Sequence, residues 1–142
     1  MELLLNNIIM SWNGVKKQSL KADIEAWCEE MGVENYTINS NGEIDVDGNV
    51  NLVGNDFKEL PFKFGRVKGF FSTNGCKNLT SLKKCPNIVD QSFVCSHCPQ
   101  LNYLEGCPKE VGENFWCMHC QRYFSKEEVK SLCEVRGKII NI

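Results

Sequence analysis

The sequence predicts an α/β repeat solenoid, a short parallel β ladder capped by a helix plus a β-hairpin before it and by a helix after it. Three observations predict this class. Val46, Val67, Val89 and Val111 head successive stretches of 21, 22 and 22 residues, with a further 22-residue stretch after the last. Within those stretches the same kinds of residue return at the same offsets. Beside the repeats lie segments whose apolar residues recur at helical spacing.

Four residues after each valine stand Val50, Phe71, Phe93 and Phe115. Six after stand Leu52, Thr73, Cys95 and Cys117, and nine after stand Asn55, Cys76, Cys98 and Cys120. Phe57, Leu79, Leu101 and Tyr123 follow, then Leu60, Leu82 and Leu104. Cys85-Pro86 and Cys107-Pro108 close two of the units. The columns fit a leucine-rich pattern, L-x-L-x-x-N/C-x-x-L-x-x-L, repeated in roughly four units over residues 46–123. Each unit is expected to supply one short strand whose alternate residues point inward. The Asn/Cys side chain then satisfies backbone groups that the following turn leaves unpaired. Stacked units would sit about 4.8 Å apart in a parallel ladder.

A stack of repeats exposes its end faces, so caps are expected. Over residues 19–45, Leu20, Ile24, Trp27, Cys28 and Met31 mark one face of a helix that Gly32 stops. Ile38, Asn41-Gly42, Ile44 and Val46 then read as a hairpin leading into the ladder. The second cap is expected over residues 124–142, the repeat breaking after Tyr123. Ser125 and Glu128 have capping-box spacing, and Phe124 with Val129 fits a hydrophobic staple. A helix over about residues 126–134 would pack Val129, Leu132 and Cys133, with Gly137–Ile142 as a final short strand or tail. Residues 1–18 form a separate apolar segment that either stays flexible or packs.

Cys95-Ser96-His97-Cys98 and Cys117-Met118-His119-Cys120 are two C-x2-C pairs, 18 residues apart. Such spacing normally suggests zinc, so an adaptor using Cys95, Cys98, Cys117 and Cys120 is the alternative reading. The repeat explains the same spacing without metal. Cys95 and Cys117 are inward strand positions, while Cys98 and Cys120 share a column with Asn55. No metal or other cofactor is therefore expected. His97 and His119 read as turn residues, and Cys85 and Cys107 as small buried ones.

With 142 residues the chain is long enough for one domain with a core that needs no metal staple. A net charge of -2 with no dense Lys/Arg block argues against a nucleic-acid or membrane-surface partner. The opening MELLLNNIIMSW lacks a basic flank, is interrupted by Asn6-Asn7, and is not read as a signal peptide or a membrane span. Nine cysteines, an odd number, then point to thiols in a reducing compartment.

The wording YTINSNGEIDVDGNVNL, LPFKFGRVKGFF, NLTSLKKCP, LEGCPKEVGENFWC and FSKEEVKSLCEVRGKIINI resembles that of short leucine-rich-repeat-like proteins encoded by tailed bacteriophages. The resemblance covers about residues 20–142. It implies a phage protein made in the cytoplasm of a bacterial host, and it does not imply a catalytic activity. The chain departs from the usual wording in its Asn column, which holds Cys in three units, and in the apolar Val94, Trp116 and Met118.

Function is expected on the outward face of the ladder. Alternation turns Asn49, Asn51 and Val53 outward, then Phe70, Ser72 and Asn74, then Ser92, Val94 and Ser96, then Asn114, Trp116 and Met118. Phe70, Ser72, Val94, Trp116 and Met118 form the expected partner-binding patch, since Trp, Phe and Met are enriched in interface cores. The expected partner is a host or phage protein, such as a host defence or regulatory factor that the chain inhibits. Self-association through the apolar N-terminal stretch is the remaining alternative. Asp45 with Asp47 and Glu127 with Glu128 are the carboxylate pairs an enzyme would need. The first pair alternates on a hairpin strand and the second opens a helix, so no enzyme is expected.

Overall fold

The computed structural model describes residues 18–142. The expected N-terminal segment, residues 1–18, thus lies almost wholly outside the described residues. The chain divides into two compact units, Met1–Gly32 and Val33–Ile142. In the first, helix α1 is described over residues 18–31. Ile24 and Cys28, four residues apart, are its buried positions, whereas Leu20 is 47% exposed and does not join that face. Gly32 takes a left-handed φ of 71° and returns its N–H to Glu29 O, which ends the helix.

The second unit is a parallel β-solenoid. It opens with a hairpin, β1 (Tyr36–Ile38) against β2 (Ile44–Val46), as the Asn41-Gly42 turn predicts. Asn39 closes that turn by accepting the N–H groups of Asn41 and Glu43 on its Oδ1. Two short strands per turn then follow: β3 (Val50–Asn51), β4 (Phe64–Val67), β5 (Phe71–Ser72), β6 (Ile88–Val89), β7 (Phe93–Val94), β8 (Glu110–Val111) and β9 (Phe115–Trp116). Helix α2 (Lys126–Leu132) precedes β10 (Glu134–Val135) and β11 (Ile139–Ile140).

These strands build two ladders where the repeat reading expected one. The first runs β1-β2-β4-β6-β8-β10 and the second β11-β9-β7-β5-β3. The leading valines fall on the first ladder, with Val46, Val67, Val89, Val111 and Val135 in register. The residues four places on fall on the second, with Val50, Phe71, Phe93, Phe115 and Ile139 in register. Side chains at the corner carry the chain from one ladder to the other: Asn49 Oδ1 accepts Phe70 N–H at 3.0 Å and Asn114 Oδ1 accepts Lys138 N–H at 2.8 Å.

The ladder does not break after Tyr123. Val135, Ile139 and Asn141 continue the valine column and the columns four and six residues on, so α2 replaces a turn segment and a further rung follows it. Ser125 caps α2 by accepting Glu128 N–H at 3.1 Å, and Phe124 and Val129 are both fully buried, as a staple requires. Leu132, expected to pack, is 43% exposed. Tyr123, aligned with buried Leu79 and Leu101, is 58% exposed, and Phe124 takes the interior place instead.

The core lies between the ladders and the turn segments. Phe71, Phe93 and Phe115 stack through it, with centroids 6.0 and 5.1 Å apart. Leu60, Leu82 and Leu104 close it from the turn side and are at most 1% exposed.

Candidate protein-binding face

The outward row of the second ladder is Asn51, Ser72, Val94, Trp116 and Ile140, each in register with the next. Val94, Trp116 and Ile140 are all half-buried and lie side by side, so the row is apolar over its last three rungs. Phe70 and Met118 are also half-buried and flank the row two residues before Ser72 and two after Trp116. Ile140 was missed by the repeat reading. The signal was present: it stands five residues after Val135, as Trp116 stands five after Val111.

Ser72 is a correction to the expected patch. It is only 6% exposed, and its Oγ accepts Asn74 N–H at 3.2 Å. Ser96 behaves alike, 2% exposed with its Oγ accepting Met118 N–H at 3.0 Å. Small hydroxyl side chains here fold back onto neighbouring backbone, as Ser does in turns. They hold the face without presenting a contact atom.

The four cysteines of the C-x2-C pairs do what the columns predict. Cys95 and Cys117 are inward and at most 1% exposed. In the Asn/Cys column the thiol of each unit donates to a carbonyl of the unit before: Cys76 Sγ to Leu52 O at 3.2 Å, Cys98 Sγ to Thr73 O at 3.2 Å and Cys120 Sγ to Cys95 O at 3.1 Å. Asn55 donates through Nδ2 to Leu52 O at 3.0 Å. A thiol donates only while protonated, and burial favours that form. It pushes Cys76 and Cys98 up to about 11 and Cys117 up to about 12. All nine cysteines are free thiols, and among the described residues no three His, Cys, Asp or Glu side chains converge to hold a metal ion.

His97 and His119 are exposed turn residues with ring centroids 5.0 Å apart, and Nδ1 of His97 lies 3.1 Å from Asn74 Oδ1. One carboxylate of each pair weighed for catalysis has structural partners. Asp45 Oδ1 accepts Arg66 N–H at 2.9 Å and lies 3.3 Å from Asn39 Nδ2. Glu128 takes a bidentate bond from Arg122, which holds its carboxyl below the usual range. A groove of about 340 Å³ lies beside Asp45, with Thr37, Asp47, Arg66 and Lys68 among its walls. Arg66, on its wall, is committed to both oxygens of Asp90.

No family model, no curated protein and no solved structure matches this chain.

Two polar anchors had no sequence signal of their own. Lys63 sends its ammonium inward to Phe64 O, Cys85 O and Asn87 Oδ1 at 2.6, 2.6 and 2.9 Å, and burial lowers its pKa. Arg122 bonds Asn102 O and lies 4.5 Å above the Phe124 ring. Both tie one turn of the solenoid to the next. Among the described residues no helix is long and apolar enough to cross a membrane.

Proposed function

We propose that this chain is a non-enzymatic protein-binding module and that the outward face of its second ladder, centred on Trp116, is the contact surface. The observation that carries this reading is the in-register row of Val94, Trp116 and Ile140, flanked by Phe70 and Met118. A rigid sheet places an aromatic anchor among apolar neighbours, which is the composition of an interface hot spot. The absence of a dense basic block in a chain of net charge -2 favours a protein over a nucleic acid.

The resemblance to short leucine-rich-repeat-like phage proteins supports a phage setting, the cytoplasm of a bacterial host as the place of action, and a host defence or regulatory protein as the target that is bound and inhibited. That step rests on analogy between proteins and not on the chemistry of the site. No metal or other cofactor takes part.

The test is affinity for a partner captured from bacterial host extract and then purified. Trp116→Ala should weaken binding by about 2 kcal/mol or more, the range of a central hot-spot residue. Circular dichroism should stay unchanged, because Trp116 lies outside the Phe71–Phe93–Phe115 core. Equal affinity of the variant and the parent chain removes this face from consideration.

A further inference from the structure

The first ladder ends at β10, and among the described strands none covers its outer edge. Glu134 donates its N–H to Lys109 O at 2.8 Å, and Arg136 donates to Val111 O at 3.0 Å. These two residues therefore direct their backbone groups at β8. Strand alternation turns the N–H and C=O of Val135 the other way, toward the open edge. An edge of this kind is a template for another strand.

The side chains indicate which strand. Val135 continues the inward valine column, so Glu134 and Arg136 share the outer face of the sheet, and both are exposed. Glu134 stands in register with Glu110, also exposed, which places like charges on adjacent strands. Among the described residues neither glutamate nor Arg136 joins an ion pair. Glu134-Val135-Arg136 thus carries an acid and a base placed symmetrically about a residue whose backbone groups have no hydrogen-bond partner among the described residues. Such a triplet is complementary to itself when turned end for end.

We propose that β10 pairs antiparallel with β10 of a second copy of this chain, about a two-fold axis that passes between the two Val135 residues and is normal to the sheet. Each Val135 exchanges two N–H···O bonds with its counterpart, the hydrogen-bonded pair of an antiparallel ladder. Each Glu134 then faces Arg136 of the other copy on the same side of the sheet, and symmetry makes the contact twice. Arg136 of the second copy offsets the repulsion between Glu110 and Glu134. Gly137 falls opposite Cys133 of the other copy, where the chain leaves α2. The contact is short, so the dimer is weak and concentration-dependent. It uses a different ladder from the Trp116 face and stands or falls independently of it.

Sedimentation equilibrium of the full chain, from low micromolar to near millimolar concentration, tests the pairing. The parent chain should pass from one copy to two. Arg136→Glu and Glu134→Arg each place like charges across the axis, and each should weaken the dimer about tenfold or more. The double swap E134R/R136E restores opposite charges and should recover the parent behaviour. Hydrogen exchange supplies an independent reading: the Val135 amide should gain protection as concentration rises. A parent chain that stays single throughout overturns the proposal. So does a dimer that persists unchanged in both single variants, which would place self-association elsewhere. Failure of the double swap to restore pairing overturns the Val135-centred register.

Discussion

Gly54, Gly75, His97 and His119 share a left-handed backbone, with φ of 74, 72, 57 and 53°. Each stands eight residues after the valine that heads its unit. One turn thus recurs four times, and only two of its occupants are the residue that adopts this conformation without steric cost. A side chain on Gly75 would meet nothing within 4 Å, so substitution there reports backbone strain alone. Gly75→Ala should lose about 1 kcal/mol of unfolding free energy in urea, and Gly75→Asn less, because Asn tolerates left-handed φ better. No loss in the alanine variant would show that the turn relaxes to another shape. Next to this residue in each turn comes the Asn/Cys position, whose job is donation to a strand-end carbonyl. Asn and Cys both supply a donor there, and the column tolerates either.

At the scale of the element, the valine and phenylalanine columns were legible because each keeps its offset through every unit. Their assignment to separate strands was not. A single leucine-rich strand and a strand–corner–strand segment present nearly the same alternation over residues 46–52, since both turn Val46, Val50 and Leu52 inward. The corner residues Asn49, Ser92 and Asn114 carry the difference, and polar residues at such places read equally well as outward strand positions. Ser72 misled for the same reason: alternation assigns it outward, but only the packed neighbourhood shows it covered. The two C-x2-C pairs belong to this scale too, because stacking alone places them at matching spacing. Native mass spectrometry of protein purified without chelator should give the mass of the bare polypeptide. A zinc-sized increment, lost together with the fold on chelation, would overturn the assignment of these thiols as ladder donors.

Across the whole molecule, eight cysteines lie in the interior at 9% exposure or less. Burial pushes Cys76 and Cys98 up to about 11, and Cys107, Cys117 and Cys133 up to about 12. An unfolded thiol ionises near pH ~8.5. A folded pKa above the unfolded one means that the unfolded chain gives up its protons first. The stabilisation is fully present below pH ~8.5 and is lost as pH rises through the folded values. Urea midpoints measured from neutral to alkaline pH should therefore hold steady at first and then fall progressively above pH ~9. A midpoint that stays level through pH ~10.5 would show that these thiols ionise as readily in the folded chain as in the unfolded one.

Spacing along the chain was enough to establish the solenoid, its hairpin entry, the helix signals and the ladder positions of the paired cysteines. Each of these rests on periodicity, which is local and additive: a residue type that recurs at a fixed offset stacks on itself whatever lies elsewhere. Tertiary structure alone decided that each turn carries two ladders and that the rungs continue beyond α2. It also decided that Ile140 joins the apolar row and that Ser72 leaves the exposed surface. These outcomes depend on where the chain bends between strands and on which neighbours cover a position. Side chains far apart in sequence set both, and no repeating offset encodes them.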